Sequence, residues 1–337
     1  MPPSVHPRIS VALCTYNGAS HLQQQLHSIA SQSLLPAELV VCDDGSTDST
    51  LDLLTEFART APFPVHIQQN PVNLGYTRNF EKAIALCTGE FIALSDQDDL
   101  WYPEKLATQA SLLIAEPAAG GVFSDGDLME PNGQIGKRSL WQSIHFGSRQ
   151  QSAFRAGAEA GVLLRRNVVT GMTLMIRARE RDTLLPIPRS WVHDAWLAWM
   201  LCLNSKLIPC PDRLVAYRIH VSQQMGVPMS PRQKLLWVLK NGLSSYFARA
   251  REKSTNEYRQ TGERLIELIA YVKARNSGPA SASVLEQIEH KLRHTKLAAY
   301  AMSQPRLLRL RPILGSASGY FQYSALPLRA LIRDLVL

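Results

Sequence analysis

Long hydrophobic runs are missing from this 337-residue sequence. A helix that spans a bilayer needs about 18 to 20 consecutive, mostly apolar residues, and no segment here approaches that length. The opening residues, MPPSVHPRIS, also lack the apolar core of a secretory signal peptide. We therefore expect a cytoplasmic protein, in which the 45% of hydrophobic residues form a sizeable core.

Cysteine is scarce and widely spaced. The five thiols are Cys14, Cys42, Cys87, Cys202 and Cys210. They form no closely spaced ligand set, which excludes the usual zinc and disulfide patterns. We expect reduced, buried thiols, as is usual in a reducing compartment.

Two glycine-rich phosphate-binding loops are absent as well. No GxGxxG follows the first predicted strand, and no GxxxxGK[ST] occurs anywhere. The sequence therefore does not support a dinucleotide-dependent oxidoreductase or a P-loop nucleotidase. A phosphate ligand would need a metal ion and side chains instead. Arg78, in NLGYTRNF, is one candidate, and a purely solvated arginine is the alternative.

Positive charge is concentrated at one end of the chain. The net charge is +8, and from Pro231 to Leu337 there are 18 Lys and Arg but only 7 Asp and Glu. A basic appendage on a mildly acidic body favours an anionic surface as partner, either membrane headgroups or nucleic acid. Because no nucleic-acid-binding motif accompanies the charge, we expect no nucleic-acid partner.

Strands alternate with helices in the first part of the chain. The predicted strands are Ile9–Tyr16, Leu39–Cys42, Val65–Gln69 and Phe91–Leu94. This alternation predicts an α/β fold with a largely parallel sheet, and ligands bind beyond the carboxyl ends of such strands. We therefore expect Thr15–Asn17, Asp43–Asp44 and Asp96–Asp99 to meet at one edge.

Three carboxylates follow the fourth strand, in GEFIALSDQDDLWY. Clustered like charges repel unless a cation lies among them, and Mg²⁺ or Mn²⁺ suits such oxygen ligands. If the segment is extended, Asp96 and Asp98 project together and could hold a sugar hydroxyl and a metal ion. The alternative is a solvated acidic turn. We expect Asp99 to cap the helix that begins near Pro103.

The middle of the chain is less regular. Periodicity is lost from Glu130 to about Gln151, which is typical of a lid or binding loop or of a partly disordered segment, and it returns in a predicted strand at Asn167–Ile176. A helix is predicted from Trp191 to about Cys202, and a last strand at Leu214–Ile219.

Two polar residues in these later elements have open roles. Asp194, in the first turn of its helix, is either a plain helix cap or part of a pocket. Trp191 and Trp196 would suit a carbohydrate or nucleotide in that pocket. His220 follows the last strand, and a structural role is the default for a single histidine.

From Pro231 the sequence predicts helices joined by a loop at Ser277–Ser283. The predicted helices are Gln233–Arg251, Tyr258–Arg275 and Val284–Tyr300. After Leu307, apolar residues stand beside arginines with almost no acid. Such a segment can lie on an anionic membrane, form a dimer or pack on a core. We expect one domain at 1–230 and a basic, mainly helical region at 231–337.

Seven ordered segments resemble glycosyltransferase family 2, over about residues 8 to 225. They are ALCTYNG, VVCDDGSTD, NLGYTRNFEKAI, ALSDQDDLW, NVVTG, VHDAW and YRIH. The resemblance implies the GT-A nucleotide-sugar fold, a mixed and mainly parallel sheet flanked by helices, with a C-terminal helical appendage. SDQDDLW, NVVTG and HDAW are most similar to the bacterial rhamnosyltransferase-type branch, which builds cell-surface polysaccharide from dTDP-rhamnose.

The resemblance also implies residue roles. The nucleotide sugar would be bound by Thr15, Tyr16, Asn17, Asp44, Arg78, Asp96 and Gln97. Asp98 would bind a divalent metal, Mg²⁺ or Mn²⁺, and His220 would lie at the diphosphate or complete the metal site. Asp194 would be the catalytic base. Ala195 and Val221–Gln224 depart from the branch near the sugar, which puts the donor's identity in doubt.

The implied activity is inverting transfer of a sugar from a nucleotide diphosphate to a hydroxyl of a cell-surface glycan or lipid-linked acceptor. The basic C-terminal region would contact the inner leaflet of the membrane or form a homo-oligomer. A non-catalytic nucleotide-sugar-binding or scaffold relative is the alternative, and the presence of both Asp98 and Asp194 favours the enzyme.

Overall fold

The chain divides into two compact units in a computed structural model of the protein. The structure describes residues 7–130, 132–219, 242–275, 278–304, 308–324 and 327–336. One unit comprises Met1–Glu159 and Asn167–His220, and the other comprises Ala160–Arg166 and Val221–Leu337. The domain boundary predicted at residue 230 lies outside the described residues, as does His220.

The strands are β1 Ile9–Thr15, β2 Glu38–Asp43, β3 Val65–Gln69, β4 Phe91–Ser95, β5 Leu100–Trp101, β6 Ala119–Met129, β7 Ile135–Ser139, β8 Leu174–Arg177 and β9 Lys206–Arg218. The helices of the first part are α1 Ala19–Ala30, α2 Thr50–Thr60, α3 Tyr76–Leu86, α4 Lys105–Ala115, α5 Leu140–Ser143, α6 Ser148–Arg155, α7 Glu159–Leu163, α8 Arg181–Leu184 and α9 His193–Asn204. The later helices are α10 Leu243–Ala274, α11 Gly278–Ser303, α12 Leu310–Gly315, α13 Ala317–Tyr323 and α14 Pro327–Val336.

All the described strands belong to one mixed sheet. Its order is β3-β2-β1-β4-β8-β6-β9-β5, with β7 paired to β6. The first four strands are parallel, as predicted. Strands β4 and β8 pair in antiparallel fashion, and so do β6 and β8. Because Thr15 is paired with Asp43, and Leu13 with Ser95, the ends of β1, β2 and β4 meet at one edge.

The core of this unit is built from strands that are buried along their whole length, β1, β2 and β4. Helix α1 turns Leu22, Leu26 and Ile29 toward the sheet, at the spacing of one helix face. Burial of one such side chain contributes roughly 1.5–3 kcal/mol. These contacts fix the positions from which the strand-end loops leave the sheet.

The segment between Glu130 and Gln151, for which a lid or binding loop is predicted, contains regular secondary structure. The segment contains β7 and α5, and Ser139 begins α5 in a capping box with Gln142. Two of its apolar residues are large aromatics, Trp141 and Phe146, which pack against Phe123 of β6 at 5.5 and 5.7 Å between ring centroids. A search for hydrophobic periodicity does not detect a segment whose position is fixed mainly by two aromatic side chains.

Other boundaries also differ from the predictions. Of the strand predicted at Asn167–Ile176, only the end is extended, because the Asn167 side chain bonds to both Val169 N and Val169 O and a 3₁₀ turn follows at Gly171–Thr173. The loop predicted at Ser277–Ser283 is part of α11 from Gly278 onward. The helix predicted to begin at Tyr258 is continuous with the preceding one, in α10.

Among the described residues, the second unit contains helices α10 to α14 together with the short segment Ala160–Arg166. Ala301, Ile313 and Tyr320 form a small apolar cluster. Beside it lies the fully buried carboxylate of Asp334, which accepts hydrogen bonds from the hydroxyls of Tyr258 and Tyr320. A buried charge is tolerated when it is paired in this way. Within the described ranges, no helix combines the length and apolar character needed to cross a bilayer.

Candidate active site

The end of β1 is tied to the end of β2. Thr15 Oγ1 donates to Asp43 Oδ1 at 2.8 Å, and Asp43 also accepts from the backbone N–H and hydroxyl of Ser46. Both Thr15 and Asp43 are buried. Asp43, which sequence reasoning placed at this edge, therefore shapes the loop after β2.

Tyr16, Asn17 and Gln97 form one connected surface at this edge. Gln97 accepts from Tyr16 N at 2.8 Å and donates to Tyr16 O at 3.1 Å, so its amide pairs with that backbone. Asn17 has a φ of 48°, a conformation that asparagine tolerates, and its N–H donates to Ser46 Oγ. Tyr16 is 45% exposed, so its aromatic side chain is accessible to a ligand at this edge.

Asp44 is buried and its carboxylate is held by the following segment. Its Oδ1 accepts from Asn70 Nδ2 and Leu74 N, and its Oδ2 accepts from Gly75 N at 2.8 Å. Asp44 therefore fixes the start of α3. Farther along that helix, Arg78 pairs with Glu81, whose carboxylate also accepts from Ile187 N.

Three sequence-predicted carboxylates, Asp96, Asp98 and Asp194, interact electrostatically. Burial, then repulsion from Asp98 and from Asp194, raises the pKa of Asp96 to about 8. Asp194 is therefore an electrostatic neighbour of the pair Asp96 and Asp98, although it is distant in sequence. The segment bends at Gln97 and Asp98, so the extended conformation on which the predicted alternation of side chains depends is not present.

Tyr217 of β9 borders the same acids and was not identified from the sequence. Burial, followed by repulsion from Asp99, Asp96, Asp98 and Asp194, raises the pKa of its phenol. We refer to Asp96, Asp98, Asp194 and Tyr217 as the acidic cluster.

Asp99 does not cap a helix, contrary to the prediction. Helix α4 begins at Lys105, with Glu104 as the residue before it. Asp99 is only 1% exposed, and its Oδ1 accepts from Arg218 N at 3.0 Å. Pairing of β5 with β9 turns this carboxylate inward, where burial and the neighbouring Asp98 and Asp96 raise its pKa.

Asp194 lies in the first turn of α9, as predicted, and accepts from Ala195 N at 2.5 Å. The helix start is anchored by His193, whose buried ring stacks on Phe80 at 4.0 Å between centroids. Burial lowers the pKa of His193 to about 3, so its ring is neutral.

The aromatic pocket predicted beside Asp194 is not formed by Trp191 and Trp196. Both side chains are buried, their ring centroids are 5.5 Å apart, and Trp196 Nε1 donates to Leu184 O at 2.8 Å. The two tryptophans therefore pack in the interior near the start of α9, where they are shielded from water.

Mg²⁺ is usually held by one or two carboxylates, with substrate phosphates completing its ligands. Asp96 and Asp98 fit that donor set, because they are neighbouring hard oxygen ligands with unfavourable mutual repulsion. Among the described residues, no group of three or more His, Cys, Asp or Glu is arranged to hold a metal ion. His220 lies outside them.

Comparison with known proteins identifies relatives of this chain. The family model described as glycosyl transferase family 2 matches residues 10–160. An uncharacterized glycosyltransferase of Nostoc sp. is 36% identical over 63% of this chain, which spans 65% of that relative's length. An uncharacterized glycosyltransferase of Haemophilus influenzae is 32% identical over 66% of this chain and 68% of its own length.

A more distant relative has a specific name. The UDP-Glc:α-D-GlcNAc-diphosphoundecaprenol β-1,3-glucosyltransferase of Escherichia coli is 24% identical over 64% of this chain and 78% of its own length.

Two solved structures share the fold. TarS 1–349 of S. aureus, in complex with UDP-GlcNAc, has a TM-score of 0.57 at 17% identity and covers 98% of this chain and 88% of its own. A mannosyltransferase from Pyrobaculum calidifontis, in complex with GDP-Man and Mn²⁺, has a TM-score of 0.54 at 19% identity. The match covers 98% of this chain and 79% of the mannosyltransferase chain. The fold is thus that of the GT-A glycosyltransferases, and the chain belongs to glycosyltransferase family 2.

Proposed function

We propose that this protein is an inverting glycosyltransferase that moves a sugar from a nucleotide-diphosphate donor, of the dTDP-rhamnose type, to a hydroxyl of a cell-surface glycan or lipid-linked acceptor. The observation that carries the proposal is the electrostatic interaction of Asp194 with Asp96, which directly follows the parallel strand β4. Family membership and the named glucosyltransferase relative support the reaction class and the lipid-linked acceptor.

Asp194 is the proposed general base. Its carboxylate takes the proton of the acceptor hydroxyl while the oxygen bonds to the anomeric carbon of the donor sugar. The bond from that carbon to the diphosphate breaks on the opposite face, which inverts the configuration. A positioned base typically contributes about 10²- to 10⁴-fold to such a step. The bond from Ala195 N to Asp194 Oδ1 fixes the carboxylate in place.

Asp98 and Asp96 would hold a divalent metal ion. His220 would lie at the diphosphate or complete the metal site. When bound, this ion would neutralise the negative charge that develops on the departing diphosphate. The proximity of Asp96 and Asp98 favours the site, as does the Mn²⁺ bound by the mannosyltransferase that shares the fold.

The nucleotide would lie on the surface formed by Tyr16, Asn17 and Gln97. The exposed ring of Tyr16 suits stacking on a base. Thr15 and Asp44 would act mainly by holding this surface, because their polar atoms already bond to the protein. Arg78 would need to leave Glu81 to reach a phosphate.

A thermal-shift screen of nucleotide sugars tests the proposal. The screen contains dTDP-rhamnose, UDP-GlcNAc, UDP-Glc and GDP-Man, each with and without Mn²⁺, because a ligand of the native state raises the melting temperature. We expect the largest Mn²⁺-dependent rise with dTDP-rhamnose. A larger rise with another donor would reject the rhamnosyl assignment. Binding without any hydrolysis or transfer would identify the scaffold alternative.

We also propose that the closing segment, residues 308–336, contacts an anionic membrane at the cytoplasmic face. Six large apolar side chains of its described residues are exposed: Leu308, Leu310, Leu314, Phe321, Leu328 and Ile332. The segment has four arginines, Arg309, Arg311, Arg329 and Arg333, and one acid, Asp334, and of these Arg309 and Asp334 are fully buried. Apolar side chains among cations suit anionic headgroups. Self-association through the same surface is the competing outcome.

A further inference from the structure

We propose that Arg218 is a positioning residue that holds the segment Asp96–Asp99 in the geometry needed to bind the metal ion that accompanies the nucleotide. The inference rests on the proposed function of that segment, and it adds a resident cation to a group of residues that the sequence presents as acids alone.

Arg218 contacts the segment through both its backbone and its side chain. Its N–H donates to Asp99 Oδ1 at 3.0 Å, and its Nε donates to Asp98 O at 2.8 Å. The first bond fixes the direction of Asp99, and the second fixes the peptide that carries the Asp98 carboxylate. Arg218 is 4% exposed, so these bonds are made away from water.

The same guanidinium reaches a third element. Its Nη2 donates to Gln24 Oε1 of α1 at 2.7 Å. The planar guanidinium therefore connects β9 to the segment Asp96–Asp99 and to α1. Lysine carries its charge on a single nitrogen and cannot reproduce this fork of separated donors.

Charge gives Arg218 a second effect on the segment. Packed carboxylates repel one another, and the sequence argument expects a metal ion to offset that repulsion. Arg218 already places a positive charge against this segment, because its guanidinium donates to Asp98 O and its backbone N–H donates to Asp99 Oδ1. The segment can thus keep its shape before a metal ion binds, with Asp98 at the surface side and Asp99 beneath it.

The test compares Arg218→Lys and Arg218→Met with a matched variant of the same strand, Arg213→Met. The side chain of Arg213 is 43% exposed, and its ion-pair partner is Asp127 of β6, which is not part of the segment Asp96–Asp99. Titration calorimetry measures binding of dTDP and UDP with and without Mn²⁺, and electron paramagnetic resonance counts free Mn²⁺. Melting temperature without ligand serves as the folding control.

We expect Arg218→Lys to weaken Mn²⁺-dependent nucleotide binding about 10- to 100-fold, as loss of an outer partner of a metal ligand typically does. Metal-free nucleotide binding should change less than about twofold, because the base-binding surface is intact, and Arg213→Met should resemble the wild type. A folded Arg218→Lys protein with wild-type Mn²⁺ dependence would overturn the positioning role.

A milder variant keeps the proposal testable if both substitutions at position 218 prevent folding. Gln24→Ala removes the partner of Nη2 from an exposed side chain and leaves Arg218 in place. We expect a several-fold loss in the same Mn²⁺-dependent quantity, and no loss would overturn the role. If the wild type binds neither nucleotide, the proposed function fails as well, which separates that outcome from a failure of Arg218 alone.

Discussion

Gly171 leaves the space that the ring of His193 fills. A β-carbon at position 171 would lie 2.6 Å from His193 Nε2, closer than real Cβ atoms approach other atoms. The segments NVVTG and VHDAW, which are separate in sequence, therefore interlock directly. His193 precedes Asp194 at the start of α9, so this contact constrains the position of the helix turn that carries the proposed base.

Gly171→Ala should destabilise the protein by about 1–3 kcal/mol, the usual cost of adding a group to a packed interior. Urea unfolding measures the loss. Gly147→Ala is the matched control, since its nearest neighbour would be Gln150 Oε1 at an ordinary 3.5 Å. Equal stability of the two variants would mean that the contact at position 171 relaxes freely.

His193 should make the protein less stable in acid. Its folded pKa is lowered to about 3 by burial, whereas an unfolded histidine titrates near 6.5. Between about pH 3 and 6.5 the unfolded chain therefore binds a proton at this residue that the native state does not bind. The stability that the neutral ring contributes is fully present above about pH 6.5 and is lost as the pH falls toward 3. His193→Leu should flatten the fall in melting temperature between these pH values, while His27→Gln, on the exposed side of α1, should not.

Asp98→Ala should remove most of the Mn²⁺-dependent part of nucleotide binding and leave the metal-free part. Asp212→Ala, an exposed carboxylate on β9, is the control for lost charge. Calorimetry with and without a chelator measures the difference. Donor affinity that ignores both the substitution and the chelator would count against a metal at this site.

The double substitution Leu328→Ser and Ile332→Ser should reduce sedimentation with vesicles of phosphatidylcholine and phosphatidylglycerol several-fold. These side chains are 63% and 56% exposed on one face of α14. Ile266→Ser removes a 50% exposed isoleucine from α10 and should leave binding intact. Unchanged sedimentation together with a smaller oligomer in light scattering would favour self-association.

The sequence predicts the first half of the sheet well because its physical signals are local. Buried parallel strands appear as short apolar runs, as β1, β2 and β4 do. The more exposed β3 also has the predicted bounds, Val65–Gln69. The rule that ligands bind at the carboxyl ends of parallel strands then brings the ends of β1, β2 and β4 together before any coordinates are known.

The remaining features depend on long-range pairing, which a local pattern cannot express. Asp99 becomes buried because β5 pairs with β9, and Arg218 reaches Asp98 from a strand far along the chain. Trp196 is assigned to a pocket by its chemistry, but packing against Leu184 decides its place. YRIH contains Tyr217 and Arg218, so the motif itself was the available signal for both residues.

The proposed base is tested most directly by the rate of sugar transfer in Asp194→Asn, with donor affinity measured on the same preparation. Asp182→Asn is the matched control, because Asp182 is also an acid in the first turn of a helix. We expect Asp194→Asn to lower turnover at least about 10²- to 10⁴-fold, the contribution of a general base. Its donor affinity should stay close to that of the wild type, and Asp182→Asn should be fully active. Near-normal turnover in Asp194→Asn would contradict the account.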